Sequence, residues 1–219
     1  MFVFKRRMLF LFLLALLLIP TATAMMQDGG KGDEIPTANE EIDTEDWVTL
    51  EGEGVTLLVP PTWIDMNADV DDLMASLEDA DSNIDLEALA DMAASLGDVY
   101  LMFAMNTEAS DVTFTTNLNV VGLDIGATMP MEMLLDANID AMRATMPDIE
   151  GEIIEINDEE VGNVFAAYEL NGLNVQQVQY YFMRDTWLYV VTFTTTDDYF
   201  EELEPEFAAI AETLETEND

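Results

Sequence analysis

Four apolar-rich runs stand almost end to end in the last third of the chain: Glu152 to Asn157, Asn163 to Leu170, Val175 to Met183 and Trp187 to Thr195. Their β-branched and aromatic residues suit a pleated, half-buried surface. The joints between them are short: Asp158-Glu159-Glu160, Asn171-Gly172 and Arg184-Asp185. Joints of that length leave no room for the crossover that parallel strands need, and the strands must return antiparallel as a meander. Within the third run, alternation sends Tyr180 and Phe182 to one face and Tyr181 to the other.

The rest of the chain supplies partners for that sheet. Trp47 to Leu50 and Val55 to Val59 flank Glu51-Gly52-Glu53-Gly54, which reads as a hairpin. Pro60 and Pro61 then stop the strand, and Trp63 reads as a buried packing anchor where the chain leaves for a helix. Val70, Leu73, Met74 and Leu77 recur at helical spacing, as do Leu86, Leu89, Ala90, Ala93 and Leu96, with Asp85 as N-cap and Gly97 as C-cap. Val99 to Met105 and Val112 to Val121 predict two more strands, followed by a loop from Gly122 to Thr128. Pro130 predicts the opening of a helix that buries Leu135, Ile139, Met142 and Met146 and stops before Pro147. A last helix spans about Asp198 to Glu215, with Phe200, Leu203, Phe207, Ile210 and Leu214 as its buried stripe. Pro205 predicts a break within it. The expected fold class is α+β: a single, mostly antiparallel sheet with helices on both faces.

The N-terminus has the grammar of a secretory signal. Lys5, Arg6 and Arg7 precede an unbroken apolar run from Met8 to Ile19, closed by Pro20, and Ala22-Thr23-Ala24 suits cleavage after Ala24. An uncleaved anchor is the rival reading, but the run is shorter than the ~20 residues a spanning helix needs. The expected organisation is a cleaved signal over 1–24, an acidic disordered spacer over 25–45, a domain over 46–216 with a helical insertion at about 67–97, and a frayed tail over 217–219. The implied location is extracellular or periplasmic, with no stable membrane span once the signal is removed.

Charge and residue inventory narrow the function. The chain carries 46 acidic residues against six basic ones, a net charge of −40. Three of the basic residues lie in the signal, leaving Lys31, Arg143 and Arg184. Nucleic acid is excluded as a partner, because neutralising phosphates takes Lys and Arg in numbers. The same surface predicts a soluble monomer. With no His and no Cys in the chain, histidine-dependent triads, the usual zinc and copper sites and disulfides are all excluded. No glycine-rich phosphate loop is present. No catalytic residue and no cofactor is assigned. The 15 methionines and the buried-pattern aromatics read as core, and Arg143 and Arg184 as neutralising nearby acids.

One stretch has metal-ligand spacing. Asp79, Asp81, Asn83 and Asp85 place oxygen ligands at alternate positions between two helical pieces. The first three match positions one, three and five of a calcium-binding EF-hand loop. Position six is Ile84 instead of Gly, and position twelve is Ala90 instead of the bidentate glutamate. The favoured reading is a polar joint capped by Asp85, with calcium as the alternative.

The hairpin that ends in Val55-Thr56-Leu57-Leu58-Val59 and then Pro60-Pro61-Thr62-Trp63 resembles the start of a PsbP-like domain. Asn117-Leu118-Asn119-Val120-Val121 leading to the Pro130 helix fits the same family, as does Leu188-Tyr189-Val190-Val191-Thr192-Phe193 before a terminal helix with Phe207 and Ile210. The resemblance covers most of 46–215. It implies an α/β/α sandwich that serves as an accessory or binding module, including DcrB-like exported proteins, and is not known for catalysis. The chain departs from the family at Thr62, where Gly is common, in the length of 67–97, and in lacking the basic residues by which the photosystem subunit docks. The functional expectation is an exported, acidic, non-enzymatic accessory protein, with an exported protein as its partner. The alternatives are a calcium- or cation-responsive extracellular module and a carboxylate-based hydrolase.

Overall fold

The structure is a computed structural model that describes residues 42–66, 100–110, 114–170 and 172–217. The two helical pieces expected within 67–97 lie outside the described residues. In place of a single sheet, the strands among the described residues form two, one of three strands and one of seven, and all their pairings are antiparallel.

The small sheet begins as the expected hairpin. Strand β1 (Val48–Glu51) pairs with β2 (Val55–Val59), placing Leu50 opposite Leu57. Gly54 has φ +70°, a left-handed conformation that glycine adopts at no steric cost. A Cβ on Gly52 would lie 2.2 Å from the Leu101 carbonyl oxygen. That close approach lets the neighbouring Glu53 N–H donate to the same oxygen at 2.8 Å, tying the hairpin to the larger sheet.

After Pro60 and Pro61 the chain first enters another strand. It turns, with the Trp63 N–H donating to the Pro60 carbonyl at 3.1 Å, and forms β3 (Trp63–Asp65) on the edge of the large sheet. The prolines release the chain from one sheet and the buried Trp63 fastens it into the next. Strand β4 (Met102–Ser110) pairs with β3 and with β5 (Thr115–Asp124). The β4 register shifts between Met105 and Ser110. The buried Asn106 carboxamide oxygen accepts from the Glu108 and Ala109 N–H groups there, at 3.0 and 2.9 Å. The loop expected from Gly122 starts later, because Gly122, Leu123 and Asp124 still pair with Tyr189, Leu188 and Trp187.

Helix α1 (Met131–Met142) follows Pro130, as the sequence predicts, and buries Met131, Leu134, Leu135, Asn138, Ile139 and Met142. The meander then runs β6 (Glu150–Ile156), β7 (Glu159–Leu170), β8 (Leu173–Arg184) and β9 (Trp187–Thr196). Its first joint is tighter than expected. Asn157 and Asp158 both have positive φ, 52° and 65°, which makes a two-residue turn and moves the start of the next strand forward to Glu159. The large sheet has the order β3-β4-β5-β9-β8-β7-β6.

Helix α2 (Asp197–Ala211) continues through Pro205 without the predicted break. Proline inside a helix forfeits a hydrogen bond and costs about 3 kcal/mol. Burial of Phe200, Leu203, Phe207, Ile210 and Ala211 on both sides of the proline outweighs that cost. The helix ends four residues before the expected Glu215. Thr213 Oγ1 accepts from the Leu58 N–H at 2.9 Å and donates to the Ile210 carbonyl at 2.7 Å, and β10 (Glu215–Thr216) adds a third strand beside β2.

Two apolar clusters lie on opposite faces of the large sheet. Tyr180, Phe182, Tyr189, Val191 and Phe193 join the α2 stripe and the small sheet. Tyr181, Leu188, Val190, Val164 and Ala166 join the buried side of α1. Neighbouring strand residues point to opposite faces, and the memberships alternate accordingly. At the centre of the first cluster, the Phe193 and Phe207 rings stack at 4.6 Å and 16°. Replacing Phe207 with Ala should cost about 3–5 kcal/mol of stability in denaturant unfolding. Gly52→Ala, which places Cβ against the Leu101 carbonyl, should cost about 1–3 kcal/mol by the same measurement.

Candidate functional site

The face of the large sheet that carries α1 changes character along its length. Near α1 it is apolar. Further along, the register builds two polar rows across three strands. Gln177 lies opposite Thr194, which lies opposite Asn117; Gln179 lies opposite Thr192, which lies opposite Asn119. All six side chains are buried. A third row, Tyr181 opposite Val190 opposite Val121, is the border with the apolar cluster.

The polar groups are chained. The Asn138 amide on α1 donates to the Tyr181 hydroxyl, which donates to Gln179 Oε1 at 2.5 Å. Gln179 Nε2 donates to Gln177 Oε1 at 3.1 Å, and Gln177 Nε2 donates to Thr194 Oγ1 at 3.2 Å. Burying an amide without a partner costs about 1–3 kcal/mol by protein mutational data, and each link of the chain removes that penalty from two groups at once. Burial pushes the Tyr181 hydroxyl well above the usual tyrosine range, and the Asn138 hydrogen bond pulls weakly the other way. The hydroxyl therefore stays neutral and serves as both donor and acceptor.

The second polar feature lies on the opposite face. Trp63 Nε1 donates to Glu206 Oε1 at 2.8 Å, and the indole stands edge-on to Phe193 and Phe207 at 6.1 and 6.3 Å. Trp63 is thus the buried anchor expected of it. The Glu206 carboxyl is held above the usual range, first by burial; Trp63 opposes that shift, and the Glu108 and Glu202 charges add to it.

The two arginines among the described residues engage acids, as the charge balance predicts. Arg143 pairs with Asp140 at 2.8 Å on the exposed side of α1, and Arg184 pairs with Glu159 while lying over the Phe182 ring at 5.7 Å. Asp79, Asp81, Asn83 and Asp85 lie outside the described residues. Among the described residues, no three or more acids converge in a way that could hold a metal ion. Among them too, no helix is long and apolar enough to cross a membrane.

Sequence reasoning missed the two polar rows. Their signal is the alternation of polar residues in Asn117-Leu118-Asn119, Gln177-Val178-Gln179 and Thr192-Phe193-Thr194. Such alternation ordinarily marks a solvated face, and only the burial of these side chains shows otherwise.

No protein-family model and no curated protein matches the chain. Among solved structures, the chain is similar to the cyanobacterial PsbP of Synechocystis, at TM-score 0.47 and 12% identity, over 83% of this chain and 98% of the other. PsbP is the family that the sequence resembles. The chain is also similar to LpqN, described as involved in cell envelope biogenesis of Mycobacterium tuberculosis, at TM-score 0.45 and 11% identity, over 77% of this chain and 88% of the other. A third likeness is to a protein of unknown function from Pseudomonas aeruginosa, at TM-score 0.41 and 15% identity, over 48% of this chain and 75% of the other. Likeness at these TM-scores carries no activity over to this chain.

The polar chain has a direct test. Tyr181→Phe deletes one oxygen and leaves both the Asn138 donor and the Gln179 acceptor without their partner. It should lower stability by about 1–3 kcal/mol in urea unfolding, with an unchanged m-value. The buried Tyr100 and the partly buried Tyr168 have another. Burial pushes Tyr100 and Tyr168 up from the ordinary 10.0 to about 12. The unfolded chain loses those protons first, so stability should fall as pH rises from about 10 towards about 12. Ultraviolet absorbance should show these two phenolates forming at higher pH in the folded protein than in the chain unfolded in urea.

Proposed function

We propose that this chain is an exported, acidic, non-enzymatic accessory protein that binds a protein partner, built as an α/β/α sandwich of the PsbP-like kind. The observation that carries the reading is how the polar side chains are used. Asn138, Tyr181, Gln179, Gln177 and Thr194 are hydrogen-bonded to one another in a chain, which suits a rigid scaffold. The inventory supports it: a chain with no His and no Cys has neither the usual general base nor the usual strong nucleophile. Export is supported by Lys5-Arg6-Arg7, the apolar run to Ile19 and Ala22-Thr23-Ala24. The acidic exterior favours a basic surface on the partner and fast, salt-sensitive association.

Expression with the native N-terminus in a secreting host tests the first half. The exported protein should begin at Met25 by intact mass, and retention of residues 1–24 in the membrane fraction would favour the anchor. Affinity capture from the exported fraction tests the second half. One exported protein should be retained at low salt and released as salt rises. Turnover of a glycoside or ester by the purified chain would overturn the non-enzymatic reading. Calorimetric heat on adding calcium at micromolar to low millimolar concentrations would favour the cation-responsive module.

A further inference from the structure

The contact between Trp63 and Glu206 joins three parts of the molecule. Trp63 is the first residue of β3, where the chain crosses from the small sheet to the large one. Its indole is buried between the Phe193 ring of β9 and the Phe207 ring of α2, and its N–H meets the Glu206 carboxyl at 2.8 Å. Glu206 is half-buried. Among the described residues, the charges that act on it are both acidic: Glu108 on β4 and Glu202 one turn earlier on α2. The described arginines are engaged elsewhere, Arg143 with Asp140 and Arg184 with Glu159.

We propose that Trp63 and Glu206 form a proton-controlled latch between the β3 crossover and α2, whose contribution to the stability of the fold is greatest when Glu206 is protonated and falls when Glu206 ionises. A neutral carboxyl keeps its carbonyl oxygen as acceptor for the indole N–H, so protonation does not cost the hydrogen bond. Ionisation would strengthen that single bond, but it places a charge in a half-buried site beside two like charges. Burial and the two glutamates outweigh the indole, and the carboxyl holds its proton above the ordinary glutamate range. The folded chain therefore binds more protons than the unfolded chain between the ordinary and the raised value. Stability rises as pH falls through that window, and the contribution is complete below the ordinary range.

Glu206→Gln fixes the side chain in a neutral form that still accepts from the indole. It should melt higher than the parent chain at about pH 7, and the difference should vanish by about pH 4, where the parent carboxyl is protonated. Glu206→Ala removes the acceptor and should melt lower than Glu206→Gln at both values. With Trp47→Phe and Trp187→Phe leaving Trp63 as the sole indole, its emission should titrate above the ordinary glutamate range, and Glu206→Gln should abolish that step. Glu108→Gln and Glu202→Gln should each move the step to lower pH. A Glu206→Gln chain that melts no higher than its parent at about pH 7 would overturn the latch. An emission step that persists in that variant would do the same.

Discussion

The packing of Phe207 on Phe193, with Trp63 edge-on to both, is the contact on which the rest of this architecture depends. One ring comes from the terminal helix, one from a central strand of the large sheet, and one from the residue that carries the chain between sheets. The early segment that carries Trp63 is thus packed against two consecutive elements near the end of the fold, β9 and α2. Buried aromatic pairs contribute about 0.5–1.5 kcal/mol each beyond the area they remove from water. The stack also explains the continuity of α2. A helix seated through Phe200, Leu203, Phe207 and Ile210 keeps its line through a proline, because displacing either half would expose that stripe.

The opposite face follows a different economy. Helix α1 lies close to the sheet where Gly162 and Gly151 face it, since a Cβ at those positions would come within 2.7 Å of Leu135 and 2.5 Å of Ile139. Beyond that apolar contact, the buried surface turns to amides and hydroxyls. Dispersion holds the first region and directional bonds hold the second. Asn138 and Tyr181 lie on the border and belong to both, being buried within the packed surface of α1 and β8 and linked to each other. Such a border specifies register, because sliding β8 by one residue would exchange Gln179 and Tyr181 for Val178 and Tyr180 on that face.

Much of this was legible from local pattern. The β1–β2 hairpin, the four-strand meander and the helix after Pro130 each follow from periodicity and turn chemistry within one short window. The opposite placement of Tyr180 and Tyr181 follows from strand alternation alone. The errors share one cause. Strand β3, the extension of β5 to Asp124 and the ending of α2 in β10 are each decided by a partner distant in sequence: β4, β9 and β2 respectively. A three-residue strand such as Trp63–Asp65 has no periodicity to read. The division into two sheets is of the same kind, since nothing local distinguishes a chain leaving a sheet for a helix from one leaving for another sheet.

The sequence by itself determined the acidic character, the absence of histidine and cysteine chemistry, the antiparallel meander and the helix that follows Pro130, because composition and short-range periodicity are properties of the chain alone. The tertiary structure decided where polarity is buried. Asn117, Gln177 and Thr194 carry the pattern of a wet face, and only the folded chain makes them interior. It also decided the setting of Glu206. One glutamate among many acids is distinguished by an indole from β3 and a carboxylate from β4, groups that no local stretch of sequence brings to it.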